Sequence, residues 1–95
     1  MSNISEKAVI SPNAKIGKNV TIYPFVYIED DVVIGDDCII YPYVSLMNGT
    51  RMGKANRIHQ NTVISAIPQD FNYRGGKTVC EIGDGNIIRD NVVIN

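Results

Sequence analysis

One loop and one histidine hold most of the chemistry that this sequence offers. The loop runs Ala66-Ile67-Pro68-Gln69-Asp70-Phe71-Asn72-Tyr73-Arg74-Gly75-Gly76-Lys77-Thr78-Val79. Gln69 puts an amide, both donor and acceptor, beside Asp70, a carboxylate that only accepts at neutral pH. That pair suits a ligand rich in hydroxyl groups, a sugar or a nucleotide, with Asp70 accepting the hydroxyl protons. Pro68 stiffens the approach. Phe71 and Tyr73 need a surface to pack on, a neighbouring one or another subunit. The plainer reading is a solvated loop with a flexible Gly75-Gly76 turn, and composition alone does not separate the two.

His59 is the single histidine. A histidine is the usual general base near neutral pH, and it also serves at subunit contacts. Against catalysis, no Ser or Cys is paired with it by a recognisable motif, so an outward aromatic continuing a stack is the better reading. One histidine makes no zinc set. Cys38 and Cys80 form no CxxC and no metal-ligand spacing. They are either a disulfide or reactive thiols, or small apolar residues in a reduced compartment; their place in the repeat favours the last. Gly83-Asp84-Gly85-Asn86 has the look of a phosphate loop but opens no helix, so it reads as a corner. No cofactor motif is present.

The chain that must hold these groups has 95 residues, 44% of them hydrophobic, and a net charge of −1. That allows one small ordered domain. There is no basic block to meet nucleic acid or an anionic membrane surface. No apolar run approaches membrane-spanning length, and the first residues carry no secretory pattern. The expected location is the cytoplasm.

The organising pattern has a period of six. Aliphatic side chains fall at Ile4, Ile10, Ile16, Ile22, Ile28, Ile34, Ile40, Leu46, Met52, Ile58 and Ile64, and resume at Ile82, Ile88 and Ile94. A helix wants spacings of three and four, a plain strand two. Six fits a parallel β-helix of hexapeptides, each a short strand plus a corner. Four residues after each aliphatic stands a smaller side chain: Ala8, Ala14, Val20, Val26, Val32, Cys38, Val44, Thr50, Asn56, Thr62, then Asn86 and Val92. Cys80 shares that phase. These too should point inward, near the corners.

Glycine follows the aliphatic at Gly17, Gly35 and Gly53, eighteen residues apart, so three hexads make one coil. Glycine there serves either positive φ or close backbone approach. The next such glycine, Gly83, comes thirty residues after Gly53. Thirty is eighteen plus twelve, so the loop at about 66–79 is a twelve-residue insertion between the second and third strands of the fourth coil. Three columns follow, built on Ile4, Ile10 and Ile16. Pro12, Pro24 and Pro42 each sit two after an aliphatic, and Tyr23-Pro24 stacks under Tyr41-Pro42. The expected fold is all-β: about five coils of three strands, one external loop, and one domain over residues 1–95. Its last coil is incomplete and uncapped, so the expectation is either the N-terminal part of a longer protein or a chain whose end something else covers.

These residues resemble the hexapeptide-repeat acyltransferases. The opening Ala8-Val9-Ile10-Ser11-Pro12-Asn13-Ala14-Lys15-Ile16-Gly17 and Ile22-Tyr23-Pro24-Phe25 carry the likeness. So do Ile64-Ser65, Pro68-Gln69-Asp70-Phe71-Asn72-Tyr73 and Val79-Cys80-Glu81-Ile82-Gly83-Asp84-Gly85-Asn86. They are similar to the branch that acylates UDP-N-acetylglucosamine at the start of lipid A synthesis. The resemblance implies a left-handed parallel β-helix, an exception to the right-handed crossover rule. It also implies homotrimers with active sites between subunits. The reaction implied is transfer of a 3-hydroxyacyl chain from acyl carrier protein to the 3-hydroxyl of UDP-N-acetylglucosamine, without a cofactor. The substrate-binding residues implied are Gln69, Asp70, Asn72 and Tyr73, with Asn72 where the family commonly has Lys. No catalytic residue is carried over: the histidine base is expected beyond Asn95, as is the family's helical C-terminal domain. The competing reading is a non-catalytic β-helix serving as a trimerisation or binding scaffold. A γ-type carbonic anhydrase is disfavoured by the lone histidine.

Overall fold

Two-residue strands are too short to hold a sheet alone; here they persist because each is stacked on another one coil away. The computed structural model describes residues 2–65 and 79–94. Its first sheet stacks β1 (Asn3–Ile4), β4 (Thr21–Ile22), β7 (Ile39–Ile40), β10 (Arg57–Ile58) and β13 (Ile87–Ile88). The second stacks β2 (Val9–Ile10), β5 (Tyr27–Ile28), β8 (Ser45–Leu46), β11 (Val63–Ile64) and β14 (Val93–Ile94). The third stacks β3 (Lys15–Ile16), β6 (Val33–Ile34), β9 (Thr50–Met52) and β12 (Cys80–Ile82). All pairings are parallel. This is the left-handed parallel β-helix that the period of six and the resemblance lead one to expect.

Pairing follows the columns. Ile22 lies beside Ile4 and Ile40, Ile28 beside Ile10 and Leu46, Ile34 beside Ile16 and Met52. Partners are eighteen residues apart until the loop. Across it, Ile58 pairs with Ile88, Ile64 with Ile94 and Met52 with Ile82, each thirty apart. The chain thus returns in the phase at which it left, onto the third sheet, the next face in turn.

The core is the stacked inward side chains. Ile40, Leu46, Ile58 and Ile64 are fully buried, as are Val20, Cys38, Val44, Thr50, Asn56 and Thr62 in the second inward position. Burial thins toward both ends: Ile4 is 45% exposed, and Ile82, Ile88 and Ile94 are half-buried. Among the described residues there is no helix, so none is long and apolar enough to cross a membrane.

The corners resolve what the glycines do. Gly17, Gly35 and Gly53 are not at positive φ. A β-carbon on Gly17 would run into the Asp36 carboxylate, one on Gly53 into that of Asp84, and one on Gly35 into the Gly53 backbone. Close approach is therefore the reason for them. Those carboxylates accept the backbone N–H of Lys18 at 2.8 Å and of Lys54 at 2.7 Å, tying each coil to the one below. Positive φ falls two residues later, at Asn19, Asp37, Ala55 and Gly85. Pro24 and Pro42 cost no ladder bond: both lie in turns, and each precedes a positive-φ residue, the pattern of a type II turn.

Replacing Ile40 by Ala should destabilise the protein by about 2–5 kcal/mol, read from urea unfolding; a loss below about half a kcal/mol would contradict its place in the stack.

Candidate functional site

The loop is anchored at the corner between the second and third sheets. It leaves after β11, where the Ser65 N–H donates to the Ile94 carbonyl at 2.8 Å and the Ser65 side chain is buried. It returns at Val79, and the Cys80 N–H donates to the Gly49 carbonyl at 2.8 Å. Beyond that point β12 and β9 pair over three residues, Cys80 with Thr50, Glu81 with Arg51 and Ile82 with Met52, one more than every other pair of strands described. The loop residues proposed from sequence, Gln69, Asp70, Asn72 and Tyr73, lie outside the described residues.

Around the return, the interior becomes polar. Lower coils place Val20 and Cys38 where the fourth coil places Asn56. A buried amide is unfavourable unless both its ends are bonded. Asn56 meets this by donating through Nδ2 to the Gly83 carbonyl at 2.7 Å and accepting the Asn86 N–H on Oδ1 at 2.7 Å. Thr62 donates to the Arg89 carbonyl at 3.0 Å, and Thr50 to Met47 at 2.8 Å. Asn56 and Thr62 thus bond to the coil that follows the loop and fix how the chain re-enters. Sequence reading placed these side chains inward but did not see that role; the signal was a change from Val and Cys to Asn and Thr within one column.

Charge near this corner is mixed. Arg51 reaches the Asp31 carboxylate at 2.7 Å and the Asp31 carbonyl at 2.8 Å. Asn48 accepts from the Asp31 N–H, and its own N–H donates to Glu29. Ser11 donates to Asp30. Tyr27 donates to Glu29 at 3.2 Å; this bond and the adjacent carboxylate charge raise the phenol above its ordinary value.

His59 is on a different corner, between the first and second sheets. Its ring stacks on Tyr41 at 4.6 Å, and Tyr41 stacks on Tyr23 at 5.1 Å, as the columns require. Its Nδ1 lies 3.6 Å from an Asp90 carboxylate oxygen, near enough for an ion pair when protonated but long for a hydrogen bond. Among the described residues no hydroxyl or thiol is hydrogen-bonded to its ring. His59 and the loop anchors are therefore not brought together within one chain.

The thiols are unpaired and belong to different columns. Cys38 is buried and donates to the Gly53 carbonyl at 3.2 Å. Burial, through desolvation, holds both thiols above the ordinary thiol value. Among the described residues no cluster of three potential metal ligands occurs.

The hexapeptide coils are also visible as a family likeness: residues 31–66 match the family model described as bacterial transferase hexapeptide (six repeats). Along its whole length the chain is similar to part of proteins named acyl-[acyl-carrier-protein]–UDP-N-acetylglucosamine O-acyltransferase. It is 40% identical to that of Chlamydia caviae over 94 residues, covering 99% of this chain and 34% of the relative. It is 38% identical to that of Thermodesulfovibrio yellowstonii over 95 residues, covering 100% and 37%. A crystal structure of a UDP-N-acetylglucosamine acyltransferase from Bacteroides fragilis 9343 superposes with a TM-score of 0.91 at 49% identity, covering 97% of this chain and 36% of that one. The chain spans about a third of the length of the curated relatives it matches.

Two outcomes follow. Asn56→Leu leaves the Gly83 carbonyl and the Asn86 N–H without partners and should cost about 1–3 kcal/mol in unfolding free energy. In native protein at pH 8, iodoacetamide should label half-buried Cys80 before fully buried Cys38, and both more slowly than after denaturation, because raised thiol values mean less thiolate.

Proposed function

We propose that this chain forms the sugar-nucleotide side of a UDP-N-acetylglucosamine O-acyltransferase. The protein to which it belongs transfers a 3-hydroxyacyl chain from acyl carrier protein to the 3-hydroxyl of UDP-N-acetylglucosamine. It works in the cytoplasm as a homotrimer with sites between subunits. The observation that carries this reading is similarity along the whole chain, 40% and 49% identity to proteins named for that activity or substrate, across the repeat and its interruption alike.

In this reading the insertion, residues 66–79, is the external loop of a single hexapeptide domain. Gln69 and Asp70 hold sugar hydroxyls, and Asn72 and Tyr73 complete the same edge. A neutral Asn72 makes no charge contact with the diphosphate. In the transfer, the sugar oxygen bonds to the thioester carbonyl carbon, the carbon–sulfur bond breaks, and the hydroxyl proton passes through a base to the departing thiol. None of the described residues is proposed as that base, since His59 sits on another corner. That same separation favours a second reading, a binding scaffold without transfer.

Calorimetric titration with UDP-N-acetylglucosamine tests the loop. Asp70→Ala should weaken binding about tenfold or more, the loss expected for a hydrogen bond to a charged group; unchanged affinity would sink the assignment. Assaying acyl transfer from hydroxyacyl carrier protein in the same preparation separates enzyme from scaffold.

A further inference from the structure

Beneath the return of the loop, polar contacts run without a gap from the second coil to the fourth. The corner between the second and third sheets carries Glu29-Asp30-Asp31 in the second coil and Met47-Asn48-Gly49 in the third. In the fourth coil the same corner is the step from Ser65 to Val79. One backbone group below receives the returning chain: the Gly49 carbonyl, which accepts the Cys80 N–H. Gly49 has no side chain to fix it, and its φ of 94° is one that other residues rarely adopt. Its orientation therefore depends on what its peptide groups bond.

Those bonds lead to Arg51. The Gly49 N–H donates to the Asp31 carbonyl at 2.7 Å. Arg51 Nη1 donates to that same carbonyl at 2.8 Å and to the Thr50 carbonyl at 3.1 Å, while Nη2 donates to the Asp31 carboxylate at 2.7 Å. One carbonyl oxygen thus holds two donors, as its two lone pairs allow. Asn48 closes the frame. Its Oδ1 accepts the Asp31 N–H at 2.9 Å, and its own N–H donates to Glu29 at 2.9 Å. Glu81 stands beside Arg51 in the ladder, yet the guanidinium reaches down to Asp31 rather than across to that carboxylate. The Arg51 and Asp31 side chains are 25% and 35% exposed, so their pairing adds little to global stability. What a planar fork on three acceptors supplies instead is direction.

We infer that Arg51 is a positioning residue for the loop: with Asp31 it fixes the Gly49 peptide, and so the place at which the chain re-enters at Val79 and Cys80. It acts through Gly49 rather than on substrate. The inference rests on the reading that the loop holds UDP-N-acetylglucosamine, and it adds to that site a residue from the coil below.

The test compares the parent with Arg51→Met, Arg51→Lys and Asp70→Ala in three measurements: calorimetric titration with UDP-N-acetylglucosamine, urea unfolding, and amide exchange at Cys80. Arg51→Met keeps the apolar stem and removes the fork. It should speed exchange at Cys80 about tenfold relative to the Tyr23 and Tyr41 amides, and weaken binding about three- to tenfold, with the unfolding midpoint unchanged. Arg51→Lys, a point charge on a flexible stem, should recover part of both losses. If Asp70→Ala weakens binding while Arg51→Met binds as the parent does, the inference fails and the reading of the loop stands. If the parent does not bind, or Asp70→Ala keeps full affinity, the reading of the loop fails, and Cys80 exchange alone judges the positioning. Unchanged Cys80 exchange in Arg51→Met overturns the inference. So does an unfolding midpoint that falls in step with affinity, since Arg51 would then serve only the fold.

Discussion

The axial hydrogen bond between one coil and the next is the constraint on which everything else in this molecule depends. The Tyr23 N–H donates to Ile40 at 3.0 Å, Tyr41 to Ile58 at 2.9 Å, and His59 to Ile88 at 2.9 Å. Parallel strands so bonded lie about 4.8 Å apart, and that rise leaves no freedom in what may stand above what. It forces isoleucine onto isoleucine, tyrosine onto tyrosine, and a carboxylate onto a glycine that has no side chain to obstruct it. The packing of the core and the stacking of the outer rings are two results of the same spacing.

That constraint also explains what could be read from the letters alone. A strict rise makes sequence phase equivalent to position, so the three columns, the inward side chains and the thirty-residue step across the loop all follow from counting. His59 over Tyr41 over Tyr23 is found where counting puts it. Conformation within a corner is another matter. Nothing in the residue type of Phe25, Tyr43 or Ala55 signals positive φ, because it is the stacked coils that impose it against local preference. The glycine phase was visible but its cause was ambiguous until the opposing carboxylates of Asp36 and Asp84 were located. Gln69, Asp70, Asn72 and Tyr73 sit where the repeat is silent, so counting locates their loop but not their side chains.

The polar interior shows how the fold repairs its own interruption. An apolar layer would pack at the fourth coil but would not distinguish the correct return strand from one displaced along the axis. Asn56 offers one donor and one acceptor at fixed separation, and both are met by the Gly83–Asn86 corner. A slipped return would bury an amide without partners, a larger penalty than losing a few apolar contacts. Specificity of re-entry is thus placed in hydrogen bonds, while the lower coils, whose sequence is continuous, need only Val and Cys.

The change in partner separation from eighteen to thirty has an energetic reading of its own. Closure entropy grows only with the logarithm of the segment between contacts, so the added twelve residues raise the cost of closing that coil by about half a kcal/mol. A β-helix can therefore lodge a long chemical segment at a corner at almost no thermodynamic disadvantage, provided the return strand is marked. The insertion point is, in polymer terms, nearly neutral ground: a place where loop length and sequence can vary widely while the coils above and below keep their pairing.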